Sequence, residues 1–200
     1  MKKMRSFEEY RRNDLTILAV LTLVFEYIII RVAHSQMFAD QAYSVSLAPA
    51  MTTIAYMRWG IYGGFIAALS GFAGCVFSGA TVSQFMIYIA GNLFSMLSLI
   101  LLYRAGFEKV RTSQWYMGYP VLVLVLMQSG RALVSVLLGS PAQLAAGFFL
   151  TDAVTDLFTL VIIWIAHRLD GLYENQKHYL LRVHEEEAQK KESEDGFYEV

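Results

Sequence analysis

The sequence predicts an all-α integral membrane protein, a bundle of six transmembrane helices followed by a cytoplasmic amphipathic helix. Hydrophobic residues make up 56% of the 200 residues, charged residues only 16%, and the mean hydropathy is +0.44. A soluble domain of this length cannot bury so much apolar surface. The apolar residues also form stretches near the roughly 20 residues that cross a bilayer, and Lys and Arg are distributed unevenly between them.

Six apolar stretches are separated by charged or glycine-containing breaks. They run over residues 15–32, 43–57, 59–77, 82–103, 115–138 and 144–167. The second stretch is short and carries Pro49. A count of four or five spans would follow if the second and third stretches were re-entrant or merged.

The distribution of Lys and Arg predicts the orientation, because positive residues collect in cytoplasmic loops. Six spans place fourteen of the sixteen basic residues on one side, Arg31 on the other and Arg131 within the membrane. Both chain ends are therefore expected in the cytoplasm, which favours a bacterial inner membrane. The first stretch is expected to remain as a signal anchor, since its apolar core is long and its basic leader extended.

The regions outside the membrane are short. Residues 1–14 form a basic leader suited to an anionic lipid surface. Residues 168–200 are predicted to continue the sixth span as an amphipathic helix, on the membrane or on a partner protein, and to end in a solvated acidic tail. The net charge of −1 gives no basic field for nucleic acid, and the single Cys75 excludes an internal disulfide.

Polar residues within the predicted spans indicate function, because charges in a bilayer are costly. They lie at the middle or outer depth of four spans, whereas the inner halves of the last three spans are aliphatic. This pattern predicts a cavity that is open to the outside and closed below. The candidate substrate-binding residues, which include two at the outer end of the first span, are Glu26, Arg31, His34, Gln84, Tyr88, Asn92, Gln128, Arg131, Asp152 and Asp156.

The charges of these residues favour a cationic or zwitterionic nitrogenous ligand. Glu26, Asp152 and Asp156 outnumber Arg131. An alternative is that Arg131 pairs with Asp152 or Asp156 only to hold helices together. No metal or cofactor is predicted, since two carboxylates without a nearby histidine are a weak metal motif. No protease or nucleotide-binding motif is present, and we expect no enzymatic activity.

Small residues recur every three or four positions through the third stretch, which predicts close helix packing. Pro49 in the second stretch is followed by residues 57–64, Met-Arg-Trp-Gly-Ile-Tyr-Gly-Gly, then by Gly71 and Gly74, and by residues 89–94, Ile-Ala-Gly-Asn-Leu-Phe. This region resembles the substrate-binding S components of energy-coupling factor (ECF) vitamin transporters. The Ala-x-x-x-Ala pattern common in the first span of that family is absent, since Ala19 is followed by Leu23.

The resemblance implies a protein that captures one vitamin-like molecule from outside. Residues 31–42 would help to cover the site, and a transmembrane coupling subunit with two ATPase subunits would drive import by toppling the bundle. Two other functions remain open: a membrane scaffold or assembly protein whose intramembrane polar residues only pack helices, and an ion-coupled carrier that works alone.

Overall fold

The computed structural model describes residues 7–33, 45–151 and 153–195, and every regular element in them is helical. Short 3₁₀ turns cover 60–63 and 94–97. The helices are α1 Phe7–Ala33, α2 Ala48–Trp59, α3 Gly64–Ser78, α4 Val82–Leu93, α5 Ser98–Ala105, α6 Phe107–Thr112, α7 Trp115–Leu137, α8 Ala142–Thr151, α9 Ala153–Arg168 and α10 Gln176–Asp195.

Four helical segments of the described chain are long and apolar enough to cross a membrane. They are Phe7–Val32, Ala48–Ser78, Val82–Ala105 and Trp115–Leu137. The protein is therefore an all-helical chain with several candidate membrane helices, as the composition predicts. The predicted count of six spans remains a prediction by this criterion.

The segment Ala48–Ser78 is a hairpin rather than one straight helix. Gly60 has φ 56°, which ends α2, and a Cβ at Gly63 would lie 2.8 Å from the carbonyl carbon of Ala55. Eight residues along a straight helix would instead be separated by about 12 Å. Helices α2 and α3 are therefore antiparallel neighbours, which agrees with two separate apolar stretches on either side of residue 58.

Contacts further along the chain show the same up-and-down arrangement. Gly71 approaches Tyr88 and Gly64 approaches Met96, so α3 runs antiparallel to the helix that begins with α4. The pairs Gly91–Arg131 and Ser98–Tyr119 establish the same relation between α4–α5 and α7, and the pairs Gln128–Asp156 and Tyr116–His167 establish it between α7 and α9.

Close approach between helices depends on particular glycines. A Cβ at Gly71 would lie 2.6 Å from the carbonyl oxygen of Tyr88, and one at Gly91 would lie 2.6 Å from the amide nitrogen of Arg131. Gly74, which belongs to the predicted packing stripe, has open space around the position of a Cβ. The small-residue pattern therefore predicts the α3–α4 contact at Gly71, but it also includes Gly74, one turn further along, which does not need to be small.

Two helices lie in the predicted terminal regions. Helix α1 begins at Phe7, so it includes residues 7–14 of the predicted basic leader together with the first apolar stretch. Helix α9 ends at Arg168, and α10 begins only at Gln176, after a turn in which Gly171 has φ 69°. The expected uninterrupted extension of the sixth span is therefore wrong.

Candidate functional site

Six of the predicted site residues come together near one end of the bundle, and we call them the polar cluster: Glu26, Tyr88, Asn92, Gln128, Arg131 and Asp156. The side chains come from α1, α4, α7 and α9. Glu26, Asn92, Gln128 and Arg131 are at most 5% exposed. Charged and amide groups buried to this degree require partners, so the contacts of each determine what the site can do.

Arg131 is joined to a neutral amide. Its Nε donates a hydrogen bond to Asn92 Oδ1 over 2.9 Å. Asn92 Nδ2 in turn donates to the carbonyl oxygen of Ala67 at 3.2 Å and to Ser70 Oγ at 3.3 Å. The amide therefore links α3, α4 and α7 and is oriented with its oxygen towards the guanidinium.

Tyr88 provides an aromatic face beside the same arginine. The guanidinium carbon of Arg131 lies 4.8 Å from the centroid of the Tyr88 ring, which is a cation–π distance. The ring of Phe148 meets Tyr88 edge to face at 6.1 Å. The absence of a side chain at Gly91 lets α7 approach α4 closely enough for this arrangement.

Glu26 connects α1 with the chain before α2 and with α9. Its Oε1 accepts hydrogen bonds from Ser46 Oγ at 2.7 Å and from the amide of Leu47 at 2.9 Å. The amide of Ser46 donates to Thr155 Oγ1 at 3.1 Å. The charge of Arg131 also acts on the Glu26 carboxylate, more weakly than these hydrogen bonds do.

Asp156 receives a hydrogen bond from Gln128 Nε2 at 3.3 Å. This contact joins α7 to α9 one turn before Arg131, and the sequence did not predict it. Of the two alternative pairings, that of Arg131 with Asp152 concerns a residue outside the described part of the chain, and that of Arg131 with Asp156 stays a prediction. The cluster as described contains two carboxylates and one guanidinium, in agreement with the predicted excess of negative charge.

Two other predicted residues lie apart from these contacts. The side chain of Gln84 is exposed, and its Oε1 accepts a hydrogen bond from the amide of Thr81 at 2.7 Å, which caps the start of α4. Arg31 is exposed in the last turn of α1, with its guanidinium 5.2 Å from the Tyr27 ring. The capping-box spacing of Thr81 and Gln84 is visible in the sequence and could have indicated this role. His34, like Asp152, lies outside the described residues.

Sequence reasoning gave too little weight to the hydroxyl groups. Ser46 and Ser70 complete the contacts of Glu26 and Asn92, and neither was a candidate. Thr52 on α2 and Thr159 on α9 are fully buried, and their hydroxyls have no hydrogen-bond partner among the described residues. Such a buried hydroxyl costs about 1–3 kcal/mol when it is unpaired.

A second polar region lies at the opposite end of the bundle, and we call it the Arg58 network: Asp14, Arg58, Trp59, Gly171 and Leu172. Arg58 Nε and Nη2 donate to the two carboxylate oxygens of Asp14 at 2.9 and 2.7 Å. Its Nη1 donates to the carbonyl oxygens of Gly171 at 2.6 Å and Leu172 at 3.2 Å. Trp59 Nε1 donates to Asp14 as well. These bonds hold the turn after α9 against α1 and the end of α2.

Polar side chains near this network contact other parts of the protein. His167 Nε2 is 2.9 Å from the carbonyl oxygen of Arg111, and its ring stacks on Tyr116 at 4.1 Å. Burial raises the pKa of the Tyr173 hydroxyl well above its ordinary value. The hydrogen bonds from Arg111 lower the pKa of the Glu108 carboxyl. Within the described residues, no group of three or more histidine, cysteine or acidic side chains could hold a metal ion.

Comparisons with protein-family models, with curated proteins and with solved structures give no match to this chain.

Proposed function

We propose that the chain is the membrane-embedded substrate-binding subunit of an ATP-driven importer of the ECF type, which captures a vitamin-like small molecule from outside. The observation that carries the proposal is the presence, at one end of the bundle, of buried polar side chains from α1, α4 and α7 beside the half-buried Asp156 of α9. The segment that the resemblance expects to cover the site, residues 31–42, lies outside the described part of the chain beyond residue 33.

The proposed topology has six crossings with both chain ends in the cytoplasm of a bacterial cell. The crossings are α1, α2, α3, α4 with α5, α7, and α8 with α9, and their antiparallel contacts support this count. Arg58, Arg104 and Arg111 lie on the proposed cytoplasmic side, as the positive-inside rule requires.

The chemistry of the polar cluster supports a nitrogen-containing, zwitterionic or cationic substrate. The carboxylates of Glu26 and Asp156 suit a cationic nitrogen, and the Tyr88 ring suits a planar heterocycle. Arg131 suits a carboxylate or phosphate on the same molecule, for which it would exchange the neutral amide of Asn92. The unpaired hydroxyls of Thr52 and Thr159 would contact the substrate from below.

The energy for transport would come from other subunits. The sequence contains no Gly-x-x-x-x-Gly-Lys-Ser/Thr loop, so ATP hydrolysis falls to two ATPase subunits that a transmembrane coupling subunit links to this chain. This chain would supply recognition and the route through the bilayer, with no catalysis and no cofactor of its own.

The test is a search for the substrate with purified protein in detergent. Mass spectrometry of the heat-denatured protein identifies any copurified metabolite, and a melting panel adds thiamine, riboflavin, pyridoxine, biotin, pantothenate and folate. A true substrate at 100 times its Kd raises stability by about 2.7 kcal/mol. Arg131→Gln should lose this gain, whereas Arg104→Gln, an exposed arginine at the opposite end, should keep it.

Other outcomes favour the two alternative functions. A protein with no copurified metabolite and no stabilising compound, which instead captures partner proteins through residues 168–200, is a scaffold. A protein that accumulates the compound in liposomes without ATPase subunits is an ion-coupled carrier.

A further inference from the structure

An open groove lies beside the Arg58 network, far from the polar cluster. It has a volume of about 640 Å³ and runs between the first turns of α1 and the turn that joins α2 to α3. Arg11, Arg12 and Leu15 line it from α1, and Tyr62 and Phe65 line it from the other side. Neither the proposed substrate site nor the proposed coupling to ATPases accounts for this groove.

One part of the groove carries charged side chains, the guanidinium groups of Arg11 and Arg12 beside the carboxylates of Glu8 and Glu9. The guanidinium carbon of Arg11 lies 4.0 Å from the centroid of the Tyr62 ring, so the ring holds the arginine in place. Within the described chain, neither Arg11 nor Arg12 donates a side-chain hydrogen bond to the protein. The donors of both guanidinium groups can therefore serve an anion.

The other part of the groove is apolar and exposed. Phe65 is 58% exposed and Tyr62 is 48% exposed. Along α1 the charged stretch that ends at Asp14 gives way at Leu15 to an apolar stretch. The rings of Trp59 and Phe7 pack together at 5.6 Å near this boundary. Aromatic side chains are typical of a membrane interface. The groove thus crosses the boundary between head groups and acyl chains.

We infer that this groove binds a phospholipid of the cytoplasmic leaflet, with its phosphate on Arg11 and Arg12 and one acyl chain along Leu15 and Phe65. The head group that fits best carries a single net negative charge. Glu8 and Glu9 also line the groove and would repel further negative charge. Phosphatidylglycerol has this charge, whereas phosphatidylcholine is neutral overall. The inference requires the predicted orientation of the bundle but not the proposed substrate.

The experiment compares lipids on delipidated protein in detergent. Native mass spectrometry counts retained lipid after addition of phosphatidylglycerol or phosphatidylcholine, and the melting temperature is followed in parallel with inorganic phosphate as a third addition. Phosphatidylglycerol should be retained and should raise the melting temperature, and the other two should not. Each of Arg11→Gln and Arg12→Gln should weaken retention about fivefold, the contribution of one basic residue at an anionic membrane surface.

Arg104→Gln is the matched control, since it removes an exposed arginine from the same end of the bundle and lies outside the groove. Deletion of residues 2–6, which removes the other basic residues of the leader, should leave selective retention in place. Equal retention by the wild type and both groove variants would overturn the inference. So would loss of retention in the deletion alone, or equal stabilisation by inorganic phosphate. Arg12 is exposed, so Arg12→Gln provides a folded variant even if Arg11→Gln does not.

Discussion

Two buried arginines at opposite ends of the bundle have different surroundings. Arg58 is 7% exposed and Arg131 is 5% exposed. Arg58 donates to both oxygens of one carboxylate and to two main-chain carbonyls. Arg131 donates to the neutral amide of Asn92 and lies over the Tyr88 ring. Arg58 thus forms a bidentate ion pair at one end of the bundle, and Arg131 belongs to a mixed polar cluster at the other.

The comparison separates a structural role from a binding role. A fork-to-fork pair with a carboxylate of the same chain is geometrically specific and strong, which suits a permanent tie between chain segments. A hydrogen bond to a neutral amide and a contact with an aromatic face are weaker than such a pair, so these two contacts of Arg131 can be exchanged at lower cost. Variants of Arg58 and of the residues around Arg131 should therefore differ in their effects on stability and on binding.

The largest effect is expected at Arg58. Arg58→Ala would remove the ion pair with Asp14, leaving Trp59 Nε1 as a donor to that carboxylate, and would remove one donor from the carbonyls of Gly171 and Leu172. Removing one partner of a buried ion pair typically costs about 3–5 kcal/mol. Unfolding in detergent, followed by circular dichroism, should show this loss, and Arg104→Ala should show almost none. A loss below about 1 kcal/mol would assign Arg58 to the class of surface pairs.

The next effect concerns the backbone contact behind Arg131. Gly91→Ala would place a methyl group 2.6 Å from the amide nitrogen of Arg131, so α4 and α7 would have to separate. Overpacking of this kind costs about 1–3 kcal/mol. Gly74→Ala is the matched control, because a Cβ there meets open space and alanine favours the helix by up to about 1 kcal/mol. Thermal unfolding should therefore move in opposite directions for the two variants.

A third prediction converts the surroundings of Arg131 into those of Arg58. Asn92→Asp would give the guanidinium a carboxylate partner at the present distance of 2.9 Å. We expect lower thermal stability, because the second carboxylate oxygen would face the carbonyl oxygen of Ala67 that Asn92 Nδ2 now contacts at 3.2 Å. We also expect loss of stabilisation by the compound that the melting panel identifies, since the new carboxylate would compete with it for the arginine. Asn92→Ser, which shortens the side chain without adding charge, should retain part of that stabilisation. Full stabilisation of Asn92→Asp would show that Arg131 does not contact the compound.

Much of the fold could be predicted because apolar length and helix breakers are local properties of the sequence. Gly60 separates α2 from α3, and the small residues around Gly71 mark a real helix contact. The break after α9 has a local signal in Gly171, which was missed, but its contact with Arg58 Nη1, which lies more than 110 residues away in the chain, could not be predicted. A sequence pattern contains no record of such a distant donor.

The sequence predicts how deep in the membrane a polar residue lies and which face of its helix it occupies, but not which residues it contacts. Helical spacing grouped Tyr88 with Asn92, and both contact Arg131. It also grouped Gln128 with Arg131, whose hydrogen bonds go to different helices, α9 and α4. The same spacing included Gln84, whose side chain caps its own helix. The candidate residues were charged, amide-bearing or aromatic, so the hydroxyls of Ser46 and Ser70, which contact Glu26 and Asn92, were not among them. Serine and threonine are common in membrane helices, and only a contact distinguishes a functional one.

The smallest effect is expected at one of these hydroxyls. Thr52 is fully buried and its hydroxyl has no partner among the described residues, so Thr52→Val replaces an unpaired polar group with a methyl group of similar size. Without any added compound, the variant should be as stable as the wild type or more stable by about 1 kcal/mol, because burying an unpaired hydroxyl is unfavourable. If the hydroxyl contacts the captured solute, the same substitution lowers the stabilisation by that compound. Thr53→Val is the control for side-chain shape, since the Thr53 hydroxyl is already bound to the carbonyl oxygen of Pro49 at 2.7 Å. If Thr52→Val weakens compound binding and Thr53→Val does not, the recognition surface includes α2 as well as the polar cluster. If the two variants behave equally, recognition is confined to the polar cluster.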